Sequence, residues 1–372
     1  MIWSLECCDL FRPSSKAGNA LSWRLPSLLG CTTAMIAIVR LLIAENTTFR
    51  GGLCLACLCA FATMLLIPAP VSGQGAAREA LSSFPLDTQQ VTYVNLAQLR
   101  ALEEYPQIRR RVLIYQLRDF QDFLRSTGTD PDKDIDEVVM GWRGEQSTGF
   151  FGRAEGRFDL ERVHRYFTDQ RIPIQQYNGY DLYAYGSGED PADVFFVFLN
   201  STSAVFGHKH ELKELLDVRA GTQPALDSNA AFVEWEAELE GTSAQWGIAT
   251  GKAAANQAGP WLSAGAKQAL DPSVVFAPVR AVLYRVDWGS SITTHVSIIC
   301  QNSETASAFA TLLTLWRDSR QTSTANPMPS SLATLLQGLE IQASGSRVEM
   351  TGSASLDAVD QLMRGALSGN RP

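Results

Sequence analysis

Val279–Gln301 reads VRAVLYRVDWGSSITTHVSIICQ, and its pattern decides the fold class. β-branched and aromatic residues dominate Val279–Trp288 and Ile292–Gln301, with Gly289-Ser290-Ser291 between them. Two such runs broken by a short Gly/Ser segment predict a β-hairpin. In the second run Ile292, Thr294, Val296, Ile298 and Cys300 fall on one face by period two. That face is read as buried, and Cys300 on it as an inert thiol.

The same vocabulary recurs on both sides. Tyr177-Asn178-Gly179-Tyr180 places Asn-Gly between aromatic flanks, the signal for a tight two-residue turn. Asp193–Leu199 (DVFFVFL) is almost wholly apolar and reads as a central strand covered on both faces. Val91–Leu96, Asp136–Trp142, Thr148–Gly156, Ser203–Gly207 and Ala244–Thr250 read as further strands, and Glu340–Ala343 with Arg347–Thr351 as a last hairpin around Gly345. Helices are predicted over Ala97–Arg111 with a break at Pro106, and over Val112–Ser126, Leu160–Asp169, His210–Val218, Asn229–Glu240 and Lys252–Leu270. Others follow from Glu304 to about Arg317, over Leu332–Leu339 and over Leu356–Leu367. Asp159 and Ser303 are read as N-caps, and Gly128 as a left-handed stop. Hairpins and strand-to-helix steps without regular βαβ spacing give an α+β class: antiparallel sheets with helices packed on one face. Ala220–Pro224 divides a first α+β domain, 77–222, from a second, 223–372. Glu155–Phe167 aligns without gaps on Thr351–Met363, but the shared residues are generic capping ones. The two halves are thus at most weakly related by sequence.

The N-terminal quarter differs from the body. Six of the seven cysteines lie within the first 59 residues. Leu53–Ile67 (LCLACLCAFATMLLI) is an apolar run in a stretch with no charge between Arg50 and Arg78, and Pro68, Pro70 and the small-residue tract PVSGQGAA follow it. A basic flank, a short apolar run and a small-residue tract make the pattern of a secretory signal. Residues 51–76 are therefore read as a signal peptide or a membrane anchor, with Gly73 or Ala76 before the scissile bond. Residues 1–50 form a poorly defined extension, consistent with a mis-called start, and 74–86 read as a linker with order beginning at Phe84-Pro85. Cys54, Cys57 and Cys59 sit in the apolar run without His or acidic partners, so they are read as small hydrophobes, not metal ligands.

Of the 31 Lys+Arg and 39 Asp+Glu, the first 76 residues hold 5 and 3, which leaves 26 against 36, a net −10, on residues 77–372. That balance argues against nucleic acid as a partner. Asp130-Pro-Asp-Lys-Asp-Ile-Asp-Glu137 begins like a calcium loop, but Ile135 replaces the sharp-turn Gly and Gly141 the bidentate Glu. It is read as a solvated turn. His208 and His210 lack a third ligand, and with Glu211 and Glu214 they read as a surface turn. Arg109-Arg110-Arg111 with Arg118 reads as a solvated helix face answered by Glu103 and Glu104. Tyr177, Tyr180, Tyr183 and Tyr185 read as cross-strand aromatic pairs, with a partner or glycan as the functional alternative. No Gly-x-Ser-x-Gly elbow, Walker loop or dinucleotide fingerprint is present. No catalytic, cofactor-binding or metal-binding residue is assigned.

Phe84-Pro-Leu-Asp-Thr-x-x-x-Thr-Tyr-Val-Asn-Leu, followed by Ser126-Thr-Gly-Thr-Asp-Pro-Asp-Lys-Asp-Ile-Asp-Glu-Val, resembles a group of uncharacterised bacterial exported proteins. The resemblance covers mainly residues 84–220. It implies a leader followed by an α+β body and implies no activity. Two functions are carried forward. The first is an exported cell-envelope protein that binds an envelope protein, lipid or glycan without catalysis. It would be periplasmic, extracellular, or anchored to the inner membrane by residues 51–73. The second is an envelope hydrolase using carboxylates or a weakly bound divalent metal, motivated by Asp130, Asp132, Asp134, His208 and His210.

Overall fold

The structure, a computed structural model, describes residues 75–112, 118–143, 149–191, 193–256, 272–322 and 338–358. The leader and the extension before it lie outside those residues, as do the helix readings beyond 256 and 358 and all of 323–337. Among the described residues no helix is long and apolar enough to cross a membrane.

The deciding hairpin forms as β9 (Val279–Asp287) and β10 (Ser291–Cys300), paired antiparallel from Thr293↔Asp287 to Cys300↔Val279. Ile292, Thr294, Val296, Ile298 and Cys300 are all buried, as the alternation requires. The other strands are β1 (Gln90–Asn95), β2 (Ile135–Arg143), β3 (Gly149–Gly156), β4 (Gln175–Tyr177), β5 (Tyr180–Tyr185) and β6 (Val194–Phe198). They continue with β7 (Ser203–His208), β8 (Gln245–Thr250), β11 (Glu340–Ser344) and β12 (Arg347–Ser355). All twelve join one sheet in the order β11-β12-β10-β9-β8-β1-β2-β3-β7-β6-β5-β4, and every neighbouring pair is antiparallel. The class is α+β.

The order contains a repeat. Outward from the centre, the first half runs β1-β2-β3-β7-β6 and the second β8-β9-β10-β12-β11, with β5 and β4 added to the first. β1 and β8 meet antiparallel at the centre, with Gln90↔Ala249, Thr92↔Gly247 and Val94↔Gln245. Equivalent strands end in equivalent caps. Asn95 Oδ1 after β1 accepts from Gln98 N at 2.7 Å, and Thr250 Oγ1 after β8 from Ala253 N at 3.4 Å. Asp159 Oδ1 after β3 accepts from Arg162 N at 3.0 Å, and Asn302 Oδ1 after β10 from Thr305 N at 2.9 Å. The gapless sequence match sets β3 against β12, whereas the topology sets β3 against β10. That match reflects only a shared capping step, since Ser355 Oγ also accepts from an amide three residues on. Asn302 takes the cap expected of Ser303, which becomes the first helical residue.

The helices divide between the two faces. Against one face lie α1 (Gly75–Leu81), α6 (Lys209–Arg219) and α7 (Ala230–Leu239). Leu212, Leu215, Leu216, Phe232 and Trp235 from them meet Val91, Tyr93, Val139, Phe151, Phe195, Val205, Trp246, Ile248 and Leu283 of seven strands in the main core. Each fully buried Leu or Phe there contributes roughly 1.5–3 kcal/mol. Between β1 and β2 run α2 (Leu96–Arg100), α3 (Tyr105–Val112) and α4 (Arg118–Ser126), with Pro106 in the first turn of α3, where its missing N–H costs little. Phe120 and Phe123 of α4 join Val163 and Phe167 of α5 (Leu160–Asp169) against Tyr183, Tyr185 and Phe196 on the opposite face. After α8 (Pro272–Phe276), α9 (Ser303–Thr322) covers the far end of that face, with Ala306 and Phe309 on Val296, Ile298, Cys300 and Val348. β6 is therefore covered on both faces, as its apolar run predicts. Gly128 (φ 97) stops α4, and Asn178 (φ 48) with Gly179 (φ 82) makes the turn between β4 and β5.

The expected linker at 74–86 is corrected. Residues 75–81 are helical and dock into the main core, because an alanine-rich segment has high helix propensity and its small side chains allow close approach. Phe84–Leu86 then runs along Pro224–Leu226, with Leu226 N donating to Phe84 O at 2.8 Å and Leu86 N to Pro224 O at 3.3 Å.

Where β8 ends, a Cβ on Gly251 would overlap the backbone carbonyl oxygen of Val279 at the start of β9. Gly251→Ala is expected to destabilise the protein by about 1–3 kcal/mol, the usual cost of overpacking against an atom that cannot move aside. A fall in the urea midpoint measures it, and an unchanged midpoint would contradict the packing.

Candidate functional site

The acidic turn ends in ion pairs. Arg109 Nε donates to Asp132 Oδ1 at 2.6 Å, and Arg125 Nη2 to Asp132 Oδ2 at 2.9 Å. Lys133 Nζ reaches Asp130 Oδ2 at 2.9 Å, and its hydrogen bond holds the Asp130 carboxyl below the usual range. Asp134 Oδ2 accepts the Asp130 amide at 2.7 Å, and Asp136 pairs with Arg100. Arg109 is thus answered by Asp132 rather than by the expected Glu103 and Glu104; the side chains of Arg110, Arg111 and Arg118 lie outside the described residues. Among the described residues, no three His, Cys, Asp or Glu side chains come together to hold a metal.

The two histidines part company. His208 ends β7 with its ring 6.0 Å from that of Phe150, and burial pushes its pKa down. His210 is exposed on α6, with Nε2 3.6 Å from Glu214 Oε1. The expected surface turn is corrected for His208, because β7 extends one residue further and carries that ring into the sheet.

Tyr177 pairs with Tyr180 across the turn, while Tyr183 and Tyr185 are buried. The Tyr177 hydroxyl donates to the Asp217 carboxylate at 2.8–2.9 Å, and Lys213 Nζ lies 4.7 Å above its ring. These rings pin the hairpin to α6 and to the sheet.

The hairpin also makes one wall of a groove. α5 is capped by Asp159 and turns Val163 and Phe167 inward, which leaves Leu160, Glu161, His164, Arg165 and Thr168 on its outer side. Between that side and the Gly179–Asp181 turn lies an open cavity of about 710 Å³. Tyr183 and Phe198 form its floor, with ring centroids 5.8 Å apart, and Phe158 and Phe167 support them at 5.3 and 4.9 Å. Leu160, at 39% exposure, is one of the few large apolar side chains left in solvent among the described residues. Glu161, Asp169 and Asp181 stand around this apolar floor with His164 and Arg165. Such a surface can seat an apolar group while its rim offers both donors and acceptors. Neither Asp130–Asp134 nor His208 and His210 lines it. Sequence reading found both walls separately, as a capped helix and an aromatic hairpin. Their approach depends on α5 folding back over β5 and β6, which no local signal encodes.

On the solvated part of the first face, His295 Nε2 lies 3.2 Å from Asp287 Oδ2, and its Nδ1 3.3 Å from Thr351 Oγ1. Thr351 lies directly opposite His295 on β12, and Asp287, opposite Thr293 on β9, is its diagonal neighbour, so the register places the three side chains on one face. This is a cross-strand polar network of the kind that stabilises an open sheet face.

Two glutamates are buried in the main layer. Glu137 accepts from the Tyr93 hydroxyl at 3.2 Å, and Asn95 Nδ2 donates to that same hydroxyl oxygen at 3.1 Å. Glu236 of α7 is 1% exposed, and its Oε1 makes no hydrogen bond. Burial is the main cause that raises the pKa of both, and neighbouring carboxylates, Glu155 and Glu240 respectively, add to it. An acid with a raised native pKa binds its proton more tightly in the folded state. Its contribution to stability is therefore greatest below the ordinary glutamate value, and is lost as pH rises from there through the native value. Glu236→Gln is expected to flatten that decline and to raise Tm at neutral pH relative to the parent. Thermal unfolding across the acid-to-neutral range tests this; parallel profiles would sink it.

No protein-family model matches the chain, and no curated protein matches it. Among solved structures, crystal form IV of the Treponema protein TP0453 is similar at a TM-score of 0.44 and 10% identity, over 76% of this chain and 96% of that one. Crystal form I of the same protein is similar at a TM-score of 0.40 and 12% identity, over 77% and 97%.

Proposed function

We propose that the chain is an exported cell-envelope protein whose body binds a protein, lipid or glycan of the envelope, with the groove between α5 and the β4–β5 turn as its contact surface. The groove is the observation that carries this reading: an aromatic floor, an exposed Leu160 at its lip and charges of both signs around it. Rigid elements hold both walls, so the surface is preformed, which lowers the ordering cost of binding. The leader pattern over 51–76 and the net −10 of the remainder support export of an acidic body. The carboxylates and histidines that motivate a hydrolase face separate partners, which weighs against that alternative.

Leu160→Asp places a charge at the lip without touching the core. Binding to envelope extracts, anionic vesicles and peptidoglycan fragments, measured for the parent and the variant, tests the reading. At least one probe is expected to bind the parent and to weaken about tenfold with the variant, or ~1.4 kcal/mol. Stability should change by less than about 0.5 kcal/mol, as for an ordinary surface substitution. Equal binding by both proteins would remove the groove from the proposal.

A further inference from the structure

The groove beside α5 carries an uneven charge. Glu161, Asp169 and Asp181 line it against Arg165, three carboxylates to one guanidinium, a net −2 with His164 neutral. Asp181 lies directly opposite Gln176 in the β4–β5 ladder and accepts from Gln176 Nε2 at 3.1 Å. By period two it shares a face of β5 with Tyr183 of the floor. Burial raises the pKa of the Tyr183 hydroxyl, and the charge of Asp181 adds to the rise. Asp181 is half-buried, and among the described residues neither it nor Glu161 nor Asp169 forms an ion pair.

The charges are also spaced. Glu161 and Asp169 stand roughly 12 Å apart along the outer side of α5, at about 1.5 Å of rise per residue. Arg165 lies midway between them. Positive charge is therefore favoured towards the two ends of that stripe and opposed at its middle. The floor of Tyr183 and Phe198 suits an apolar group. In an extended chain, at about 3.3 Å per residue, side chains four positions apart stand roughly 13 Å apart and point the same way. The aliphatic stem of a Lys or Arg can lie on an apolar surface while its head reaches a carboxylate. Anionic lipid headgroups and acidic glycans would instead bring like charge to the rim. A bare metal ion does not suit it, since among the described residues no three acidic or His side chains converge.

We infer that the groove takes an extended basic segment of a protein, with Lys or Arg at its first and fifth positions and an apolar side chain at its third. All three point to one side of an extended chain. The two cations meet Glu161 and Asp169, the apolar group lies on Tyr183 and Phe198, and Asp181 attracts the segment from the opposite wall. The inference rests on the groove being the contact surface, and it narrows the partner to a protein.

The test is calorimetric titration of the full chain at low ionic strength with the peptide acetyl-Lys-Ala-Phe-Ala-Lys-amide and with its Gln and Glu counterparts. The Lys peptide is expected to bind about tenfold tighter than the Gln peptide, the sum of two partly exposed ion pairs, and the Glu peptide more weakly than both. Asp181→Asn and Glu161→Gln should each weaken the Lys peptide about threefold and leave the Gln peptide unchanged. Salt should erase the difference between the peptides. Thermal unfolding checks that both variants keep the fold. A Gln peptide that binds as tightly as the Lys peptide, and is weakened by Leu160→Asp, overturns the charge selection and leaves the groove standing. Anionic vesicles or chitooligosaccharides that bind where no Lys peptide does also overturn the inference, and leave the groove with that partner if Leu160→Asp weakens them. No binding by any of these probes, with envelope extracts indifferent to Leu160→Asp, removes inference and groove together.

Discussion

The antiparallel pairing of β1 with β8 is the constraint on which the rest of the molecule depends. It is the ladder that joins a seven-strand and a five-strand array into one sheet, and it centres on Thr92 opposite Gly247. Gly247 is required there because the Tyr284 phenol lies where a Cβ would be, and the Tyr284 hydroxyl meets Thr92 Oγ1 at 2.9 Å. On the other face Tyr93 stacks on Trp246, with centroids 5.1 Å apart. A close approach on one face and an aromatic pair on the other fix the register, since a one-residue slip would exchange the two sets.

Once the halves are joined, the sheet is too long for a single helical layer. α1, α6 and α7 cover the first face over its central and first-half strands, and the second half of that face stays polar, with Thr293, His295, Ser297, Glu349 and Thr351 in successive cross-strand pairs. The opposite face is covered at its two ends, by α4 with α5 and by α9. The groove is a consequence of that arrangement. α5 lies over the outer strands of the first half, and the β4–β5 turn rises beside it because β4 and β5 extend that half beyond its counterpart.

Much of the architecture was legible because its causes are local. Strand alternation, the Asn-Gly turn, the Gly128 stop, the Asp159 cap and the burial of Cys300 each depend on a few neighbouring residues. The failures were also local readings, each made where a distant partner decides. Ala76 and Ala77 look like linker until a core is available to receive them. His208 looks like a turn residue until β7 finds β3 and β6. The groove was least legible, since Leu160 and Tyr180 are unremarkable apart and meaningful only as two walls of one cavity.

By itself the sequence determined the class of the fold, the position of nearly every described strand and the acidic character of the body, because periodicity, turn chemistry and charge act over a few residues. Only the tertiary structure decided the order of the strands, the repeat about β1 and β8, the face each helix covers and the partner each carboxylate meets. Those outcomes rest on contacts such as Thr92 with Tyr284, 192 positions apart. Residues that far apart carry no mutual mark in the chain; burial and register bring them together once the sheet closes on its centre.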